Sequence, residues 1–142
     1  MELDNLYQDI LLDHFKHPRN YGPISPEAVL VDEENPTCGD HIRMTAAVEH
    51  GRVSRVQFDG KGCAISMASS SMMTEAVTGK PVDEARALAA KVAGFLRGEK
   101  EIGENELGPL MALSGVKEYP LRVKCATLGW HALLKALDRL KA

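Results

Sequence analysis

Residues 60–63, Gly-Lys-Gly-Cys, divide the chain into two parts whose hydrophobic patterns have different periods. Before them, Ile42, Met44, Ala46 and Val48 alternate with polar residues, the period of a half-buried strand. His50-Gly51 supplies a tight turn, and Val53 to Phe58 reads as the returning strand. Ala28 to Val31 reads as a short strand ahead of both, so this part predicts a three-stranded antiparallel meander. After Cys63 the alternation stops. The run AISMASSSMMTEAV is full of small residues and predicts a helix packed closely on the sheet. Pro81 opens a further helix, with Asp83 and Glu84 in its first turn, where they favour the helix dipole. Leu88, Val92 and Phe95 form its buried side. Residues 98–120, rich in Gly, Pro and Glu, predict only short helical turns.

The two ends of the chain are helical by the same test. Leu3, Leu6, Tyr7, Ile10, Leu11 and Phe15 fall at helical spacing until Pro18 ends the run. Ala126, Trp130, Leu133, Leu137 and Leu140 do so at the other end and predict a long C-terminal helix. Strands first and helices after specify an α+β domain with helices on one face of the sheet. At 142 residues, with no linker or repeat, the expectation is a single domain over residues 1–142. The net charge of −3 argues against a nucleic-acid partner, which needs a concentrated basic face. No apolar run reaches the ~18 residues that suggest a membrane span. The N-terminus, MELDNLYQDI, is acidic and amphipathic, unlike a signal or transit peptide, so the expected location is cytoplasmic.

The three cysteines, Cys38, Cys63 and Cys125, are an odd number with no CxxC spacing. That disfavours a disulfide framework and leaves metal, catalytic or core roles. Each falls at an element junction: Cys38 between the first two strands, Cys63 between strand and helix, and Cys125 at the start of the terminal helix. The last two are expected in a first helical turn, where free N–H groups favour the thiolate. Gly39, Gly60 and Gly62 beside them permit close backbone approach. Taken singly, a cysteine is more often a small core residue. Three at junctions, flanked by glycine or charge, point to convergence on one site.

NPTCGD, GKGCAIS and RVKCATL resemble the three cysteine motifs of the U-type iron–sulfur cluster assembly scaffolds. HPRNYG resembles the segment that follows that family's first helix, and the likeness runs over nearly the whole chain. It implies that Cys38, Cys63 and Cys125 are cluster or metal ligands, and that Asp40 is the acidic residue that also ligates zinc. Lys124 stands where many members carry a histidine, and the stretch between the second and third cysteines is longer. Both departures resemble the SufU branch. That branch implies a zinc-containing sulfur acceptor for a SufS-like cysteine desulfurase, with apo iron–sulfur proteins or later cluster carriers downstream.

The chemistry of the residues agrees. A closed Zn²⁺ site needs four ligands, and a protonated Lys124 has no lone pair to give. Asp40 therefore becomes the fourth, with the adjacent His41 as rival, although the His41 side chain should lie on the other side of the strand. Cys125 is the expected sulfur acceptor, with Lys124 and Arg122 stabilising its thiolate; a solvated basic patch is the alternative reading of those two. A transient [2Fe–2S] cluster on the same ligands is the runner-up to zinc. A structural zinc module remains open, as does a cysteine hydrolase pairing Cys63 or Cys125 with His131, though no hydrolase signature surrounds either. His14, His17 and His50 read as solvated or packing residues. Any enzymatic role is at most that of a zinc-dependent sulfurtransferase.

Overall fold

The meander forms where the alternation places it. In the computed structural model, which describes residues 2–36, 38–99 and 101–141, strands β1 (Val31–Asn35), β2 (Asp40–Glu49) and β3 (Arg52–Lys61) make one antiparallel sheet in the order β1-β2-β3. His50 and Gly51 both have positive φ, 55° and 74°, as a two-residue hairpin turn requires. Ile42, Met44, Val56 and Phe58 are fully buried on one face. On the other face Arg43 stands between Asp32 and Asp59 in register, and its guanidinium donates to both Asp59 oxygens at 2.7 Å. The strand expected at residues 28–31 lies further on. Pro26–Ala28 forms a single 3₁₀ turn, and the strand begins at Val31 and runs through the charged VDEEN. Pairing with β2, not the residues' own propensity, makes that segment a strand.

Helices α1 (Glu2–Lys16), α2 (Ala64–Val77), α3 (Val82–Leu96), α4 (Glu104–Leu107) and α5 (Pro120–Lys141) complete the chain. A 3₁₀ stretch over Gly108–Glu118 joins α4 to α5, so residues 98–120 carry the short helical turns expected of them. Helix α5 lies on β1 and β2, and α2 lies on β3 between α1 and α5. The buried stripe of α5 includes Ala126, Trp130, Leu133 and Leu137, while Leu140 is exposed. On α1, Tyr7, Ile10 and Leu11 pack on the core, and Leu6 and Phe15 face outward. The side chain of Leu3 lies outside the described residues.

Small residues decide how α2 meets α5. Ser69 donates to the Ala126 carbonyl at 2.6 Å and accepts from the Trp130 indole at 3.0 Å. A Cβ at Gly129 would lie 2.3 Å from Ser70 Oγ, so only glycine lets the two helices come this close. On the opposite flank, Ser71 Oγ accepts from the Arg19 amide at 2.8 Å and lies 2.7 Å from His14 Nδ1. Its hydroxyl hydrogen is therefore free to reach that ring nitrogen, and burial lowers the pKa of His14. Asn20 carries the turn onward, with its side-chain amide donating to Thr74 at 3.0 Å. HPRNYG is thus the clamp that fixes α1 against α2.

Gly129→Ala should lower stability by about 1–3 kcal/mol through overpacking. Ser70→Ala, which removes the nearest atom, should recover part of the loss when the two are combined. Urea unfolding of the four proteins measures both effects; additive single-mutant losses would place the cost elsewhere.

Candidate metal centre

The first arm of the site is the turn between β1 and β2. Asn35 and Asp40 close it as a strand pair, and the Asn35 carbonyl accepts from the amides of Cys38 at 3.2 Å and Gly39 at 2.8 Å. Gly39 has φ 74°, the left-handed conformation that lets the chain re-enter the sheet at once. Cys38 is thereby held half-buried at the turn. Asp40 points inward and is 1% exposed. Its Oδ1 accepts from the Cys63 amide at 2.8 Å, while Oδ2 is buried with no hydrogen-bond partner among the described residues. An unpartnered buried carboxylate oxygen is costly, and a cation is the partner that suits it.

The second arm is the β3–α2 junction. Gly60 has φ 123°, and a Cβ there would lie 2.0 Å from the His41 carbonyl. A Cβ at Gly62 would press on Asp40 Oδ1 at 3.1 Å and Ser66 Oγ at 2.9 Å. Both glycines let this junction close over the carboxylate. Cys63 is the N-cap of α2, and its sulfur accepts from the Ser66 amide at 3.4 Å. The helix N-terminus therefore acts on Cys63, as expected.

The third arm departs from expectation. Helix α5 begins at Pro120, which places Cys125 in its second turn rather than its first. No free N–H of a helix end serves it there. Cys125 is fully buried, with its sulfur 3.0 Å from that of Cys38 and 3.7 Å from the Asn35 side-chain nitrogen. Burial, aided by the Asp40 carboxylate and the Cys38 and Cys63 sulfurs, pushes the Cys125 thiol well above its ordinary value. Without a cation the thiol, not the thiolate, is the stable form. Interaction with Cys63 first, and with Cys125 after it, raises the pKa of the exposed Arg122, whose guanidinium faces both sulfurs. Lys124 instead lines a neighbouring groove with Glu34, His131 and Lys135.

Ligand atoms of Cys38, Asp40 and Cys125 all lie within 4.8 Å of one another. The Cys63 sulfur, held as the α2 cap, lies outside that set. His41 faces the opposite side of the sheet and bonds Asp32, which removes it as rival to Asp40. Among the described residues no hydrogen bond joins His131 to a cysteine. The sequence reading assigned no role to Asn35, although it opens NPTCGD; its only signal is an amide side chain beside a metal-type turn. Two or three soft sulfurs around one hard oxygen without a partner fit Zn²⁺, which accepts both donor types.

A model of the NifU-like N terminal domain matches residues 6–139. The zinc-dependent sulfurtransferase SufU of Bacillus subtilis (strain 168) is 43% identical over 137 residues, covering 96% of this chain and 92% of that protein. The iron–sulfur cluster assembly scaffold protein IscU of Streptococcus pyogenes serotype M1 is 42% identical over 139 residues, covering 97% and 86%. A solved structure of a candidate scaffold protein for the SUF system, from Fervidobacterium islandicum AW-1, superposes with a TM-score of 0.82 at 35% identity, covering 91% of this chain and 94% of that one. The chain belongs to the NifU-like N-terminal domain family, and it is similar to members named SufU and IscU.

Because Cys125 holds its proton tightly, a metal that binds its sulfur must expel that proton. Zinc affinity should therefore rise with pH, by roughly tenfold per unit for each proton released. Competition against a chromophoric chelator at about pH 6.5 and about pH 7.5 measures the slope; a flat profile would show thiols already ionised. The same shift leaves metal-free stability unchanged well below the thiol's ordinary value of 9.0 and lowers it as pH rises past that value. The sign follows because unfolding then frees the thiol to ionise.

Proposed function

We propose that this chain is a cytoplasmic protein of iron–sulfur cluster biogenesis that holds zinc through Cys38, Asp40, Cys63 and Cys125 and accepts persulfide sulfur from a cysteine desulfurase. The observation that carries the reading is Asp40 Oδ2, buried and unpartnered, with the Cys38 and Cys125 sulfurs beside it. Bound there, Zn²⁺ would keep thiols ionised near neutral pH and shield them from oxidation. The likeness to a zinc-dependent sulfurtransferase over nearly the whole chain supports the same occupant.

In the transfer step, a thiolate of this chain attacks the outer sulfur of the partner's persulfide. The partner's sulfur–sulfur bond breaks, a new one forms, and the partner leaves as its thiolate. No net oxidation occurs. Cys125, the acceptor expected from the sequence, is fully buried, whereas Cys38 stands half-buried at the turn. Cys63 is half-buried too, but its sulfur is engaged by the Ser66 amide, so we assign the attack to Cys38, with Cys125 as the anchored ligand. Arg122 supplies the exposed positive charge that favours ionised sulfur, and Lys124 adds charge in the adjoining groove. Assembly of a [2Fe–2S] cluster on the same residues is the second reading, favoured by relatives named as scaffolds. Apo iron–sulfur proteins or later carriers would then be the recipients.

The test measures alanine release by a cognate desulfurase, with zinc content, for Cys38→Ser, Cys63→Ser, Cys125→Ser and Asp40→Ala. Cys38→Ser should abolish stimulation even where zinc is retained. Cys125→Ser should lower zinc content and stimulation together. A Cys38→Ser protein that stimulates as well as the parent would return the acceptor role to Cys125 or Cys63.

A further inference from the structure

We infer that Asn35 is a positioning residue for the Cys125 sulfur, and that its side-chain amide sets that sulfur apart from the Cys38 sulfur 3.0 Å away. The inference rests on the reading of this cluster as a metal site and concerns how its sulfurs are made unequal. Asn35 is 6% exposed, at the last position of β1, and its two ends do different things. Its carbonyl accepts from the Cys38 and Gly39 amides and shapes the turn. Its Nδ2 reaches across to the Cys125 sulfur at 3.7 Å, ninety residues later in the chain. One residue thus joins the cysteine at the turn to the cysteine on α5.

The three sulfurs receive different donors. Cys63 takes the Ser66 amide, Cys125 takes the Asn35 amide, and the Arg122 guanidinium faces both of these sulfurs from outside. Cys38 has the Leu121 carbonyl at 3.9 Å and the Cys125 sulfur as partners. Among the described residues no N–H group bonds the Cys38 sulfur. A hydrogen bond donated to a metal thiolate withdraws charge from it, fixes its orientation and makes it a poorer nucleophile. Asn35 therefore holds Cys125 as a ligand, leaving Cys38 as the electron-rich and exchangeable sulfur. The carbonyl contacts belong to the backbone and survive substitution of the side chain, so the amide can be tested without abolishing the turn.

Two variants separate hydrogen bonding from packing. Asn35→Leu removes the donor and keeps the space filled; Asn35→Ala removes the donor and leaves a gap. Each is compared with the parent by zinc affinity, by the sulfur-to-metal charge-transfer band of the Co²⁺-loaded protein, and by far-UV circular dichroism. Both should bind zinc about 10–100-fold more weakly, and both bands should move to lower energy, because the sulfur loses a donor. A parent that binds no zinc would overturn the metal reading and this inference with it. A parent that binds zinc, beside variants with unchanged affinity and superimposable bands, would overturn the inference alone. A shift confined to Asn35→Ala would assign the effect to packing and overturn it too. So would loss of the native circular dichroism in both variants, since the residue would then be a determinant of the fold.

Discussion

A buried carboxylate with one satisfied oxygen is the constraint on which the rest of this structure turns. Asp40 is 1% exposed, and the Cys63 amide satisfies Oδ1 alone. Placing such a charge out of water costs several kcal/mol unless partners surround it. Among the described residues Oδ2 has no such partner, and the chain supplies only the shape of the site. The turn that presents Cys38 begins the strand on which Asp40 sits, and Gly62 keeps its neighbourhood free of a side chain. Arg122, whose guanidinium faces the sulfurs, stays exposed, so the interior of the cluster is left for an incoming cation. A site arranged in this way holds its ligands close before metal arrives and holds them at some expense to the metal-free fold.

That expense is tolerable because the core does not depend on it. Trp130, Phe58, Ile42, Met44 and Leu133 are fully buried in one apolar core, and the α2–α5 contact is closed by Ser69, Ser70 and Gly129. The same contact carries Cys125 to the other two arms. Rigid elements therefore set the positions of the three loops, and the loops set the chemistry. HPRNYG works at a distance from the sulfurs, where it locks α1 to α2 through Ser71 and Thr74.

Much of this was legible in the sequence, and the parts that were not share a physical cause. Ile42 to Val48 and the terminal helix announce themselves by period, because one face of each is buried against a single layer. His50-Gly51 is legible because a two-residue hairpin demands positive φ at both positions. The VDEEN strand is not, since its strand character comes from pairing with β2 and its own residues favour water. The start of α5 is obscured because Pro120, Leu121, Arg122 and Lys124 are exposed, so periodicity begins only where burial does. From that error followed the wrong environment for Cys125: a helix end was expected, and a dry interior was found. The contact of Asn35 with Cys125 could not be read at all, because it spans ninety residues and depends on the α5 register.

Three identical side chains have thus been given three different surroundings. Cys63 caps a helix, and its sulfur accepts from the Ser66 amide. Cys125 is buried among like-charged groups and favours its neutral form until something cationic arrives. Cys38 sits at a turn, half-exposed, without an N–H donor among the described residues. Equal cysteines would be exchanged or attacked at random; the proposed sulfur transfer requires one to react while the others hold. Inequality of surroundings supplies that order without any additional residue type. It also explains why the motif around Cys38 combines a turn, a glycine and a carboxylate. Under that proposal the attacking sulfur must be reachable, the chain must fold back at once, and the hard ligand must enter the interior two residues later.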